Sequence, residues 1–190
     1  MEFQQDIKAY LSREVEVIKS LDIEAINEVI NELLKVRERE ANIYIFGNGG
    51  SAATASHYVC DFNKGVFNEM GEKRFKFHCL SDNTPIITAI ANDDSYDEVF
   101  RGQLKGILKS EDLLIAVSGS GNSRNVVNAI EYGKKIGCKT IGITGYTGGK
   151  IKEMADFNLH VNVDDMQISE DVHMIFDHLM MSVIRSSKAK

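Results

Sequence analysis

Apolar residues recur every three or four positions near the start of the chain, at Ile7, Leu11, Val15 and Ile18, then at Ile23, Ile26, Val29, Ile30, Leu33 and Leu34. That period puts them on one face of a helix, so residues 1–38 are predicted as two helices, with Asp22 at the N-cap of the second. The pattern then changes. Ile43-Tyr44-Ile45-Phe46 is a β-rich run closed by Gly47-Asn48-Gly49-Gly50-Ser51, and a helix is predicted from there to about Lys64. Residues 75–80 are the next strand, and helices are predicted over 85–91 and 99–108. Leu113–Val117 shows almost no alternation, as expected of a strand buried on both faces. It ends in Ser118-Gly119-Ser120-Gly121-Asn122-Ser123 and is followed by a helix to Lys135. Strands over 140–144 and 157–161, a short helix over 149–154 and a long final helix over 167–186 complete the reading.

Strands that alternate with helices imply an α/β fold with a parallel sheet covered on both faces. Five strands and their helices use the whole chain, so residues 1–190 are read as a single domain: a helical pair over 1–38 and a core over 39–190. Ligands of such sheets bind at the carboxyl ends of the strands. The two glycine- and serine-rich turns, after Phe46 and after Val117, lie at those ends.

Composition narrows the function. Of 190 residues 43% are hydrophobic, enough for a sizeable core, and the net charge is −6. A general nucleic-acid-binding surface is not expected, because it neutralises phosphates with Lys and Arg. Cys60, Cys79 and Cys138 have no zinc-finger spacing and are read as reduced thiols of a cytoplasmic protein. The polar start Met1–Asp6 is not expected to be a secretion signal, and no apolar run is long enough for a membrane span.

Several groups carry candidate chemistry. Ser118–Ser123 brings hydroxyls and backbone N–H groups to the start of a helix, a plausible phosphate cradle. It is neither a Walker A loop nor a dinucleotide fingerprint. Gly47–Ser51 is either a tight turn or the second wall of the same crevice. His57 and Asp61, four apart, share a helix face. On the last helix Glu170 and His178 are separated by about 80°, with His173 and Asp177 between them. Two His and two carboxylates from two helices would suit a four-coordinate divalent ion; the plainer alternative is surface exposure or a satisfied core hydrogen bond. Apolar residues surround most of that helix, Met180 and Met181 among them. This implies extensive burial and, together with the first helix, a subunit interface. Asn92-Asp93 is a turn or a ligand contact. Thr144–Lys150, His78 and His160 are read as structural.

Taken together, Gly47–Ser51, Asn92-Asp93, Ser118–Ser123 and Thr144-Gly145…Gly148-Gly149-Lys150, in this order, resemble the sugar isomerase (SIS) domain family, most closely its phosphoheptose isomerase branch. The resemblance covers essentially the whole chain. It implies a flavodoxin-like three-layer αβα sandwich with a five-stranded parallel sheet, a homotetramer with sites between subunits, and a phosphorylated sugar as substrate. It implies phosphate contacts at Ser51, Ser118, Gly119, Ser120 and Ser123, and sugar contacts at Asn48, Gly49, Gly50, Asn92, Asp93, Asp61 and Glu170. It further implies one zinc per subunit on His57, Asp61, Glu170 and His178. Asp61 stands where the family has Glu, Glu170 where it has Gln, and Gly119 where it has Thr. The expected reaction is isomerisation of sedoheptulose 7-phosphate to glycero-manno-heptose 7-phosphate through an enediol, with Asp61 and His178 as acid and base. The alternatives are another phosphosugar as substrate, a non-catalytic sugar-phosphate-binding or replication-initiation module, and, most remotely, a nucleotide-binding protein.

Overall fold

The structure, a computed structural model, describes residues 1–65 and 73–187. Two helices lead, α1 over Gln4–Lys19 and α2 over Ile23–Glu38. Asp22 caps α2 as predicted: its carboxylate accepts the Ala25 amide at 3.0 Å, pairing an N–H that the helix leaves open. Strand β1 (Ile43–Gly47) and α3 (Gly50–Cys60) follow, and α3 ends in one π-helical turn over Asp61–Gly65. Then come β2 (Phe77–Cys79), α4 (Thr84–Asp93), a 3-10 turn at Tyr96–Glu98 and the one-turn α5 (Arg101–Leu104). The chain closes with β3 (Leu113–Ser118), α6 (Arg124–Ile136), β4 (Lys139–Thr144), α7 (Gly149–Met154), β5 (Phe157–His160) and α8 (Met166–Ser187).

The five strands form one sheet in the order β2-β1-β3-β4-β5, every neighbouring pair parallel. Alternate side chains serve opposite faces. Ile43, Ile45, Ile115 and Val117 pack with α2, α3 and α8, whereas Tyr44, Phe46, Leu114 and Ala116 pack with α5, α6 and the 96–108 segment. The result is the expected three-layer αβα sandwich. All six residues of β3 are buried, as its unbroken apolar run requires.

The order reverses between β1 and β3. Chain leaving β1 runs to β2 on one side, and chain leaving β3 runs to β4 on the other. Their carboxyl ends therefore diverge and open a crevice. Residues 99–108, predicted as one helix, are instead helical only over the single turn of α5, with turns on either side; Gly106 sits there at φ 79°, a conformation no helix accepts.

Helix α1 buries none of its residues. Phe3, Ile7, Leu11, Val15 and Ile18 form an exposed apolar row along it, while Tyr10 donates to Asp171 and Arg13 pairs with Asp165 at 3.1 Å, tying α1 to α8. No helix among the described residues is long and apolar enough to cross a membrane.

Candidate active site

The crevice is walled by the two predicted loops. Asn48, Ser51, Ser118, Gly119, Ser120 and Ser123 line a cavity of about 130 Å³, with Met166 and Glu170 of α8 closing one side. Whole-ligand pockets usually run to roughly 300–1,000 Å³, so this one fits a compact head group whose remainder extends outward. Helices α3 and α6 both begin here and aim unpaired N–H groups and partial positive charge at it. The Ser123 hydroxyl makes no cap bond to α6; its one partner among the described residues is the Ser118 hydroxyl at 3.5 Å. It is thus available to a ligand.

The loops are held by contacts that the sequence did not announce. Asn48 and Asn125 exchange amide hydrogen bonds at 3.0 and 2.8 Å, and Tyr96 donates to Asn48 at 2.9 Å. Asn125 is buried, so this pair clamps the β1 loop to α6. The Ser81 hydroxyl donates to the Gly47 carbonyl at 2.8 Å. Gly121, at φ 64°, lies so close to the Gly148 carbonyl that any side chain would clash. That close approach, with the Ile151 amide donating to the Gly121 carbonyl at 3.0 Å, gives the Thr144–Lys150 loop the structural role predicted for it.

Further along α3 and α8 lies a second group. His57 Nε2 and His178 Nε2 approach to 3.1 Å. Asp61 Oδ2 stands 3.6 Å from the first and 3.8 Å from the second. Asp177 Oδ2 is 4.0 Å from His57 Nε2. One donor atom from each of these four residues lies within 4.8 Å of all the others. Asp61 opens the π turn, an irregularity frequent at functional sites. Asp177 is fully buried, and neither oxygen has a hydrogen-bond partner among the described residues. Burial, and then the Asp61 charge, pushes its carboxyl up to about 8. The donor set of imidazoles and carboxylates, with a buried carboxylate lacking a partner, fits a divalent metal ion.

Among the predicted site residues, the structure brings Asn48, Ser51, Ser118, Gly119, Ser120 and Ser123 together at the crevice, and His57, Asp61 and His178 together at the cluster. Gly49 and Gly50 begin α3 beside the crevice. Glu170, expected as a metal ligand, is outside the four-residue group and lines the crevice, its carboxylate against Gly50. Asn92 and Asp93 end α4 in solvent, bonded to one another at 2.9 Å, and line neither place. His78 meets Asn42 at 3.1 Å and His160 meets Thr144 at 3.1 Å, consistent with their structural reading. The three cysteines are free thiols, Cys138 buried and Cys60 exposed. The signal that could have found Asp177 is the one-per-turn row Ser169, His173, Asp177, polar residues on the stripe that α8 buries completely.

Comparison with known proteins agrees with this geometry. The SIS domain profile matches residues 2–145. A probable phosphoheptose isomerase of Thermoplasma acidophilum is 37% identical over 179 residues, 94% of this chain and 97% of that protein. The phosphoheptose isomerase of Helicobacter pylori is 36% identical over 179 residues, 93% of this chain and 92% of its own. The solved structure of phosphoheptose isomerase GmhA from Neisseria gonorrhoeae superposes with a TM-score of 0.87 at 28% identity, covering 97% of this chain and all of that one.

Proposed function

The chain belongs to the SIS domain family, and from that membership we propose that it is a phosphoheptose isomerase interconverting sedoheptulose 7-phosphate and glycero-manno-heptose 7-phosphate. One observation supports this above the others. Helices α3 and α8 each begin at the serine-lined crevice, with Ser51 and Glu170, and reach the His/Asp cluster about two turns on, with His57, Asp61 and His178. Two turns of helix rise about 11 Å. A substrate with a phosphate at one end and a carbonyl at the other can engage both places.

In this reading Ser51, Ser118, Ser120 and Ser123, with the N–H groups that open α3 and α6, hold the phosphate. Their neutral dipoles are fixed before the ligand arrives, so little reorganisation is needed. Asn48, Gly49, Gly50 and Glu170, which stand at or beside the crevice, contact the sugar. Asp61 turns Oδ2 toward the two imidazoles and keeps Oδ1 for proton transfer. It takes the proton from one carbon, C1 or C2, and returns it to the other, while His178 exchanges the hydroxyl proton. When bound, a divalent ion, zinc in this proposal, polarises the carbonyl, and His57, Asp61 and His178 are among its holders.

The exposed apolar row on α1 supports assembly of copies of this chain, which we take to be the homotetramer of the resemblance. The free thiols support a cytoplasmic setting. Asp61 is one methylene shorter than the glutamate of the family pattern, which favours, as a second reading, another phosphosugar as substrate.

Proton NMR of the zinc-supplemented protein with sedoheptulose 7-phosphate in deuterated water tests the function. Aldoheptose 7-phosphate signals, with deuterium at the exchanged carbon, are expected. Absence of conversion beside an active family enzyme rejects the heptose substrate and moves the search to other phosphosugars.

A further inference from the structure

Asp177 sits one position before His178 on α8, fully buried, with no hydrogen-bond donor on either oxygen among the described residues. Its helix neighbours on the buried stripe include Phe176 and Met180, and the surroundings are the apolar core. A leucine or isoleucine would fit such a place without the cost of burying a carboxylate. A carboxylate there needs a positive partner. The possible co-ligands that face it are His57, Asp61 and His178, and the buried Tyr58 lies near enough to feel its charge. Among the described residues no Lys or Arg pairs with Asp177, and neither of its oxygens has a hydrogen-bond partner; the nearest offer is the His57 Nε2 atom at 4.0 Å. The spacing points to what is shared. Ligand atoms around a tetrahedral zinc stand roughly 3.3 Å apart, given metal–ligand distances near 2.0–2.1 Å. Four of the six separations here are 3.1, 3.6, 3.8 and 4.0 Å and all six lie within 4.8 Å, a set that closes onto an ion with side-chain movements of about an ångström.

We propose that Asp177, rather than Glu170, completes the ligand set of a divalent cation with His57, Asp61 and His178. The proposal rests on the reading of this cluster as the metal centre of the isomerase. It gives Glu170 a different place. That residue lines the phosphate crevice and is left free to meet the substrate.

The test is direct metal binding by the full-length protein, stripped with a chelator and titrated with cobalt(II). The visible ligand-field bands are the readout, and zinc competition gives the affinity. Asp177→Asn keeps the shape and Asp177→Leu suits the apolar surroundings, so one is expected to fold if the other does not. Both are expected to bind cobalt at least tenfold more weakly, with altered bands, and Glu170→Gln is expected to match the wild type within about twofold. Metal-free Asp177→Leu is also expected to melt higher than the metal-free wild type, yet to gain less on adding zinc. Wild-type affinity and bands in both Asp177 variants, or an equal loss in Glu170→Gln, overturns the proposal. Turnover of the heptose phosphate by a wild-type chain that takes up neither cobalt nor zinc overturns it too, while leaving the isomerase reading intact.

Discussion

The Glu170 carboxylate fills the space in which a side chain on Gly50 would stand: a Cβ there would lie 2.6 Å from Oε2 and 2.8 Å from Oε1. The absent side chain lets an anionic group from α8 reach the start of α3, where partial positive charge favours it. Because the blocked atoms end a flexible side chain, Gly50→Ala displaces Glu170 without disturbing the fold. The melting temperature is expected to stay within a few degrees and kcat/KM to fall roughly 10- to 100-fold, the scale of an ångström-sized misplacement. Unchanged kcat/KM would remove Glu170 from the substrate-handling groups.

Ser123 separates binding from stability. It occupies the N-cap of α6 without making a cap bond. Ser123→Ala should therefore change the unfolding free energy by no more than about 0.5 kcal/mol. A hydrogen bond to a charged ligand contributes about 1.5–3 kcal/mol, so the inhibition constant of inorganic phosphate is expected to rise roughly 10- to 100-fold. A variant that binds phosphate like the wild type shows that the cradle does not use this hydroxyl.

How far the sequence could be read depended on how much of each element's pattern was local. Strand β3 was legible because burial on both faces leaves an unbroken apolar run. The crevice was legible because serines and glycines between a strand and a helix have few other uses. Over residues 99–108 the apolar spacing predicts a longer helix than forms, because that spacing runs on to Leu108 while the helical backbone ends at Leu104, before Gly106 turns to positive φ. At the cluster, helix phase alone could not choose between Glu170 and Asp177. They are seven residues apart and nearly in line on α8. Only the packing of α3 against α8 decides which one meets His57. The Asn48–Asn125 clamp joins residues far apart in sequence and has no local signature at all.

The cysteines give a prediction about reactivity. Burial pushes the Cys79 and Cys138 thiols up to about 12, so at pH 8 only about one in ten thousand is a thiolate, the reactive form. Cys60 is exposed at the end of α3. Brief treatment of the native protein with iodoacetamide at pH 8 is expected to add one carbamidomethyl group, located at Cys60 by peptide mass spectrometry. Equal labelling of all three would show that the sheet opens on that timescale.

His173 sets a specific dependence of stability on pH. Its ring is fully buried, and neither nitrogen has a partner in hydrogen-bond geometry among the described residues. Desolvation holds it down to about 4, with the Thr144 carbonyl working weakly against this. The unfolded chain binds this proton near pH 6.5 and the folded one near pH 4. Between those values the unfolded state carries more protons, and stability falls as the pH falls. Above 6.5 the ring is neutral in both states and adds no pH dependence; below 4 it is charged in both and the slope ends. The span corresponds to about 3 kcal/mol. Urea unfolding of the wild type and of His173→Leu across this window isolates the term, because other titrating groups largely cancel in the difference. The wild type is expected to lose about 2–3 kcal/mol relative to the variant between pH 7 and pH 4.5. Parallel curves would mean that the folded protein protonates His173 as readily as the unfolded chain does.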